Sequence, residues 1–361
     1  MDFITQNLLG AVAGHAACGR SRRDGGTLGR LALAAGALGG AVPDFDFLLQ
    51  PLADPAMPWQ LHRHFTHAFV FIPVGGVLAT LPFLAFRSGR RRFGVILAAA
   101  TIGCATHGLL DNLTSYGTHV LWPFRSDRTV WDAMSIVDPI FTLVLLLGVL
   151  IATLRDRVRP TRVAAAVAAA YIAMGFVQHG RALEAQQTLA AERGHAVVRG
   201  RTLPTVGNWI VFRSIYEADG RLWADAVRVA PFGDLAVREG RSMPRFTEEM
   251  LASEVAITER TRVVLRGLDA FADGFVGRVT GPDAAPDGVT VGDMRITGMT
   301  DGFRPLWGVR FDRDGAPHAW DAFGRGGDDE ETMRAVLGGM LADVVRPEGR
   351  FRVLASPSPG D

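Results

Sequence analysis

Apolar runs separated by short polar loops fill the first half of the chain. Ile4 to Cys18 is apolar and rich in small residues, and is short for a full span, which predicts a short or re-entrant helix. Leu31 to Val42 is a small-residue helix that stops at Pro43-Asp44-Phe45-Asp46. A Pro-rich connection, Pro51 to Pro58, leads to Ala68 to Phe86, a run long enough to cross a bilayer. Thr66 is the expected N-cap of that helix, with His67 in its first turn, where the helix dipole biases the imidazole toward its neutral form. Phe93 to Tyr116 follows, with Gly117 as the expected C-cap. Ile136 to Leu154 and Val163 to Val177 complete the series, the last continuing as a polar helical extension through Glu192.

Beyond His195 the period changes. Trp209 to Tyr216 and Leu222 to Val229 alternate apolar and polar positions around Asp219-Gly220, which predicts a β-hairpin. Pro305 to Phe311 and His318 to Phe323 around Asp314-Gly315 predict a second one, and Thr258 to Phe275 and Glu330 to Val344 have helical periodicity. The expected architecture is an α-helical polytopic membrane domain of about five to six helices over residues 1–193, followed by a soluble α+β domain over 194–361.

Charge orients the membrane part. The loops at 19–30, 87–93 and 155–162 hold twelve arginines, and those at 50–65 and 117–135 hold three. The positive-inside rule makes the first set cytoplasmic, so the chain is expected to be a multi-pass protein of the bacterial inner membrane with its C-terminal domain extracytoplasmic. The net charge of +1 gives no sign of a nucleic-acid partner. Cys18 and Cys104 lie in apolar stretches and read as packed free thiols. Met1-Asp2-Phe3 lacks the basic start of a signal peptide, so no cleavage is expected.

This topology brings three segments to one membrane face, each carrying metal-type ligands. Asp44 and Asp46 end the second helix, His62, His64 and His67 precede the third, and His107 and Asp111 lie in the distal part of the fourth. His107 and Asp111 are i and i+4, on one helical face with Cβ atoms roughly 5–6 Å apart. Asp44, Asp46, His62, His67, His107 and Asp111 are therefore the expected metal ligands, with His64 as a possible addition. Mixed His and Asp donors suit zinc or manganese, and six of them are enough for one or two ions. Asp46 or Asp111 is the expected base, Arg63 the expected anchor for an anionic group, and Thr66 and Thr114 support the ligands.

These motifs together resemble the bacterial membrane-bound metal-dependent hydrolases related to YdjM. That family has a Pro-Asp-x-Asp turn, then His-Arg-Gly-x-Thr-His, then His-x-x-x-Asp-x-x-Thr-x-x-Gly. Here the matching residues are Pro43 to Asp46, His62 to His67, and His107 through Asp111 and Thr114 to Gly117, within a resemblance covering residues 1–155. Gln6 stands where many members have a histidine, and His64 replaces the usual glycine. The resemblance implies a membrane-bound hydrolase using a metal-activated water on an ester or phosphoester of a membrane lipid or small envelope molecule. A more distant likeness to zinc-dependent phospholipases C also points to phosphoesters. Two other readings compete: a transporter or ion pathway using intramembrane His and Asp, and an envelope scaffold with a structural metal.

Overall fold

The computed structural model describes residues 1–19, residues 27–322 apart from 208, 232, 282, 283 and 286, and residues 338, 343–344 and 350–354. Most of the basic loop at 20–26, Phe323 and nearly all of the helix expected over Glu330 to Val344 lie outside the described residues. The chain divides into two compact units. The first comprises Met1–Ala53 and Trp59–Phe176, the second Asp54–Pro58 and Val177–Asp361.

In the first unit, α1 (Phe3–Cys18) starts at Asp2, whose carboxylate caps the Thr5 amide. It packs on α2 (Thr27–Ala41) and α5 (Phe93–Asn112) through glycines. A Cβ added at Gly10 would lie 2.3 Å from the Gly36 carbonyl oxygen, and one at Gly103 would lie 2.1 Å from the same atom. Three helices thus meet backbone to backbone at Gly36, the close approach that small residues allow in apolar bundles. Ala32, Ala35, Ile96, Ala99 and Ala100 fill the space around it. Helix α6 (Pro139–Arg155), capped by Asp138, and the first half of α7 (Arg159–Glu192) close the bundle over Phe141, Leu145, Ala164 and Ala168.

Three described helical stretches are long and apolar enough to cross a membrane: Thr27–Leu52, Phe93–Asn112 and Arg159–Glu192. Pro58–His67 with Phe69–Ala85 makes a fourth if that pair, bent by 59°, is one broken span. The expectation of five to six membrane helices is corrected accordingly. With 16 and 17 residues, α1 and α6 reach only about 24–26 Å of a hydrocarbon core roughly 30 Å thick.

The third apolar run is also not one helix. It comprises 3₁₀ turns at Phe65–His67 and Phe69–Phe71, α3 (Ile72–Thr80), a 3₁₀ segment Leu81–Ala85 and the short α4 (Arg87–Arg91). Pro73 and Pro82 each lack the N–H that a continuous ladder needs, and each sits at the start of a new segment. Thr66 therefore lies inside a 3₁₀ turn and is not an N-cap, so the dipole argument for His67 lapses. Gly117 does take a positive φ of 67°, but α5 already ends at Asn112, where the Thr114 amide turns back onto the Asp111 carbonyl.

The second unit is rich in sheet. Strands β1 (Arg199–Pro204), β2 (Val211–Ala218), β3 (Arg221–Val229), β4 (Leu235–Pro244) and, at the far edge, β9 (Arg352–Val353) form one antiparallel sheet in that order. Asp219 and Gly220, both with positive φ, turn β2 into β3 as the sequence predicts. The second half of α7 covers this sheet, setting Ala182, Ala185 and Leu189 against Phe212, Val227 and Val237. Strands β5 (Val276–Arg278), β6 (Gly288–Asp293), β7 (Trp307–Asp312) and β8 (Pro317–Asp321) form a second antiparallel sheet, in which β7 and β8 are the second expected hairpin. Two helices, α8 (Glu248–Ala252) and α9 (Glu259–Phe271), complete the unit. Asp54–Pro58 belongs here as well. Arg260 of α9 grips the Asp54 carboxylate through two bonds of 2.8 and 2.6 Å, and Ala56 and Met57 are buried. Met57 lies over Gly267 of α9, where a Cβ would come within 2.8 Å of its sulfur.

Candidate metal centre

The helix α2 runs directly into a 3₁₀ segment, Val42–Leu52, that Pro43 opens. This tight winding turns Asp44 and Asp46 inward while Phe45, Phe47 and Leu48 point out. Opposite them, α5 presents His107 and Asp111 one turn apart, both buried. The turn Phe65–His67 is pressed onto α5 at Gly108, where a Cβ would lie 2.3 Å from the His67 carbonyl oxygen. A glycine is required there for His67 to reach His107.

Four side chains converge: Asp44, His67, His107 and Asp111 each offer one ligand atom, all within 4.8 Å of one another. His67 Nε2 lies 3.0 Å from His107 Nε2 and 3.2 Å from Asp111 Oδ2, and Asp44 Oδ1 lies 3.5 and 3.4 Å from the two imidazole nitrogens. The Gly40 carbonyl fixes the tautomer of His107. His107 Nδ1 donates to the Gly40 carbonyl, and His67 Nδ1 faces the Thr66 hydroxyl at 3.0 Å. The His107 Nε2 therefore carries a lone pair, and it faces the His67 Nε2 and two carboxylate oxygens. Asp111 Oδ2, buried in this group, has no hydrogen-bond partner. Four electron-rich atoms facing inward with an orphaned carboxylate oxygen among them is an arrangement a divalent cation satisfies.

The other residues singled out in the sequence lie around this group. Asp46 and His62 stand beside the four and form a pair of their own. Asp46 Oδ1 accepts from His62 Nδ1 at 2.9 Å, and Oδ2 accepts from the Arg63 amide at 3.0 Å and the Thr66 hydroxyl at 3.3 Å. Both carboxylate oxygens are committed to hydrogen bonds. Arg63 adopts φ 61°, uncommon for a side chain with a Cβ, and this bend sends its guanidinium inward. There its Nε is 3.4 Å from Asp111 Oδ2, Nη1 is 3.3 Å from Thr114 Oγ1, and the cation sits 5.4 Å from the centre of the Tyr116 ring. Thr114 also donates to the Asp111 carbonyl. His64 points away from the four, its ring 4.7 Å from that of His119 and 5.8 Å from Trp122. Among these neighbours, burial and the nearby Arg128 push His119 down to about 4.

Two contacts were not legible in the sequence. Gln6 of α1 donates to Asp111 Oδ1 at 2.9 Å, and the Met1 α-amino group bonds the same oxygen. A neutral polar residue inside an apolar helix was the signal available for Gln6. The YdjM inner membrane protein family model matches residues 1–182. No curated protein and no solved structure matches the chain.

Proposed function

This chain belongs to the YdjM inner membrane protein family, and within it we propose a membrane-bound metal-dependent hydrolase acting on an ester or phosphoester, a lipid or envelope molecule. The observation that carries the reading is the convergence of Asp44, His67, His107 and Asp111, with both Nε2 atoms turned inward. A divalent ion held by these four, zinc or manganese by its donors, would supply Lewis acidity and an acidified water. The chain's own residues would do the rest. Asp46 holds the His62 Nδ1 proton, which leaves His62 Nε2 free to take or give a proton; its side chain is 39% exposed. Arg63, its Nη1 held by the Thr114 hydroxyl oxygen, offers N–H groups to an anionic substrate oxygen next to Asp111. Burial of the two histidines and Asp111 excludes bulk water, and Asp44, 18% exposed, marks the open side.

One observation favours a different reading. Four ligands, three of them almost fully buried, also match a closed structural site. Metal analysis of the detergent-purified protein, with ester and phosphoester screens, separates the two. The hydrolase reading expects about one ion per chain and turnover that disappears with chelation. A tightly held ion that raises the melting temperature while no substrate is turned over would favour the structural role. The arginine distribution further supports an extracytoplasmic C-terminal unit.

A further inference from the structure

Gln6 is fully buried, and its amide has one defined orientation. Nε2 faces two acceptors, Asp111 Oδ1 at 2.9 Å and the His107 carbonyl at 3.4 Å, both from α5. A flipped amide would set oxygen against oxygen, so the remaining atom, Oε1, is the acceptor. Among the described residues nothing donates to it. A buried acceptor without a donor is destabilising. The helix backbone cannot shift to relieve it, because the Gln6 carbonyl is locked against α2: a Cβ at Gly40 would lie 2.6 Å from it.

The contact on Nε2 has a second effect. Asp111 Oδ1 is occupied by Gln6 and by the Met1 α-amino group, while Oδ2 is the oxygen that faces His67 and His107. Gln6 therefore decides which oxygen of Asp111 points into the centre. We propose that Gln6 is a positioning residue of the metal centre: Nε2 holds Asp111 so that Oδ2 alone is presented to the ion, and Oε1 is left to accept a hydrogen bond from a hydroxyl or water. This rests on the metal reading above.

The test is zinc and cobalt titration of the full-length, detergent-purified protein and of Gln6→Met, which keeps the side-chain length and removes both polar atoms. The zinc affinity of Gln6→Met should fall about 10–100-fold, the usual result of losing a partner that orients a ligand, and the visible spectrum of its cobalt form should change. Unchanged affinity together with an unchanged cobalt spectrum overturns the role of Gln6. If Gln6→Met does not fold, Gln6→Asn, which keeps the amide but falls one methylene short, carries the same expectation and the same refutation. A wild type that binds neither ion overturns the metal reading itself, and so is distinct from a wild type that binds while the variants bind equally well.

Discussion

Asp46 and Asp111 are both buried carboxylates at one centre, yet their surroundings assign them different work. Asp111 keeps an oxygen without a hydrogen-bond donor and turned toward two imidazoles, whereas both oxygens of Asp46 are taken by His62, Arg63 and Thr66. Asp111→Asn should therefore lose metal affinity by more than the roughly 10–100-fold expected of a supporting residue. Asp46→Asn should keep the ion and lower turnover by about 10²–10⁴-fold, as loss of proton-transfer assistance does. Equal metal loss in both, measured by metal content after dialysis, would remove the distinction. Gly108→Ala tests the approach of the two chain segments. Its new Cβ would sit 2.3 Å from the His67 carbonyl, so it should cost about 1–3 kcal/mol and release zinc, read by melting temperature and metal content. The i,i+4 placement of His107 and Asp111 was legible in the sequence, because it follows from helical geometry. The pairing of Asp46 with His62 was not, because it joins positions 16 apart across a turn that no local pattern marks.

At the scale of elements, the periodicity located the helices and hairpins but not their interruptions. The polar extension of the last helix is there, Arg159–Glu192 being one continuous helix, and β2 and β3 turn at Asp219-Gly220. The third apolar run broke because Pro73 and Pro82 prevail over hydrophobic length. At the start of α9, Thr258 and Thr261 bond each other's backbone amides. Thr258→Ala should cost about 1 kcal/mol, measurable by denaturant unfolding of the second unit. The loop after α5 carries a pH dependence. His119 titrates near 4 in the fold and near 6.5 when free, so the unfolded chain binds more protons between those values. Stability from this group is complete above about 6.5 and is lost as pH falls toward 4. Melting curves across that range should show the decline, and His119→Gln should flatten it.

For the whole molecule, the arginine asymmetry makes a topological prediction. A cysteine introduced at Asp219, an exposed turn position that already carries a side chain, should be labelled by impermeant reagents before the inner membrane is breached. Labelling only after permeabilisation would reverse the orientation. Of the native thiols, Cys104 is buried and Cys18 partly so, and both are free. The division into two units was only partly readable, since the composition change near residue 195 says nothing about Asp54–Pro58. A carboxylate and a guanidinium 206 positions apart leave no local trace.

That short insertion bears on how the protein can be taken apart. The C-terminal unit is not a cassette joined at one seam. The chain enters it at Asp54, leaves at Pro58, and re-enters through α7. Removing residues 195–361 would take away Arg260 and Gly267 and leave Asp54 to Pro58 with nothing to fold against, immediately upstream of His62 and Arg63. Such a truncation should raise backbone hydrogen exchange over residues 59–67, while the glycine-packed helices keep their protection. Unchanged exchange there would show that the insertion is a passive loop. A swap between relatives that respects the fold would exchange 54–58 together with the C-terminal unit.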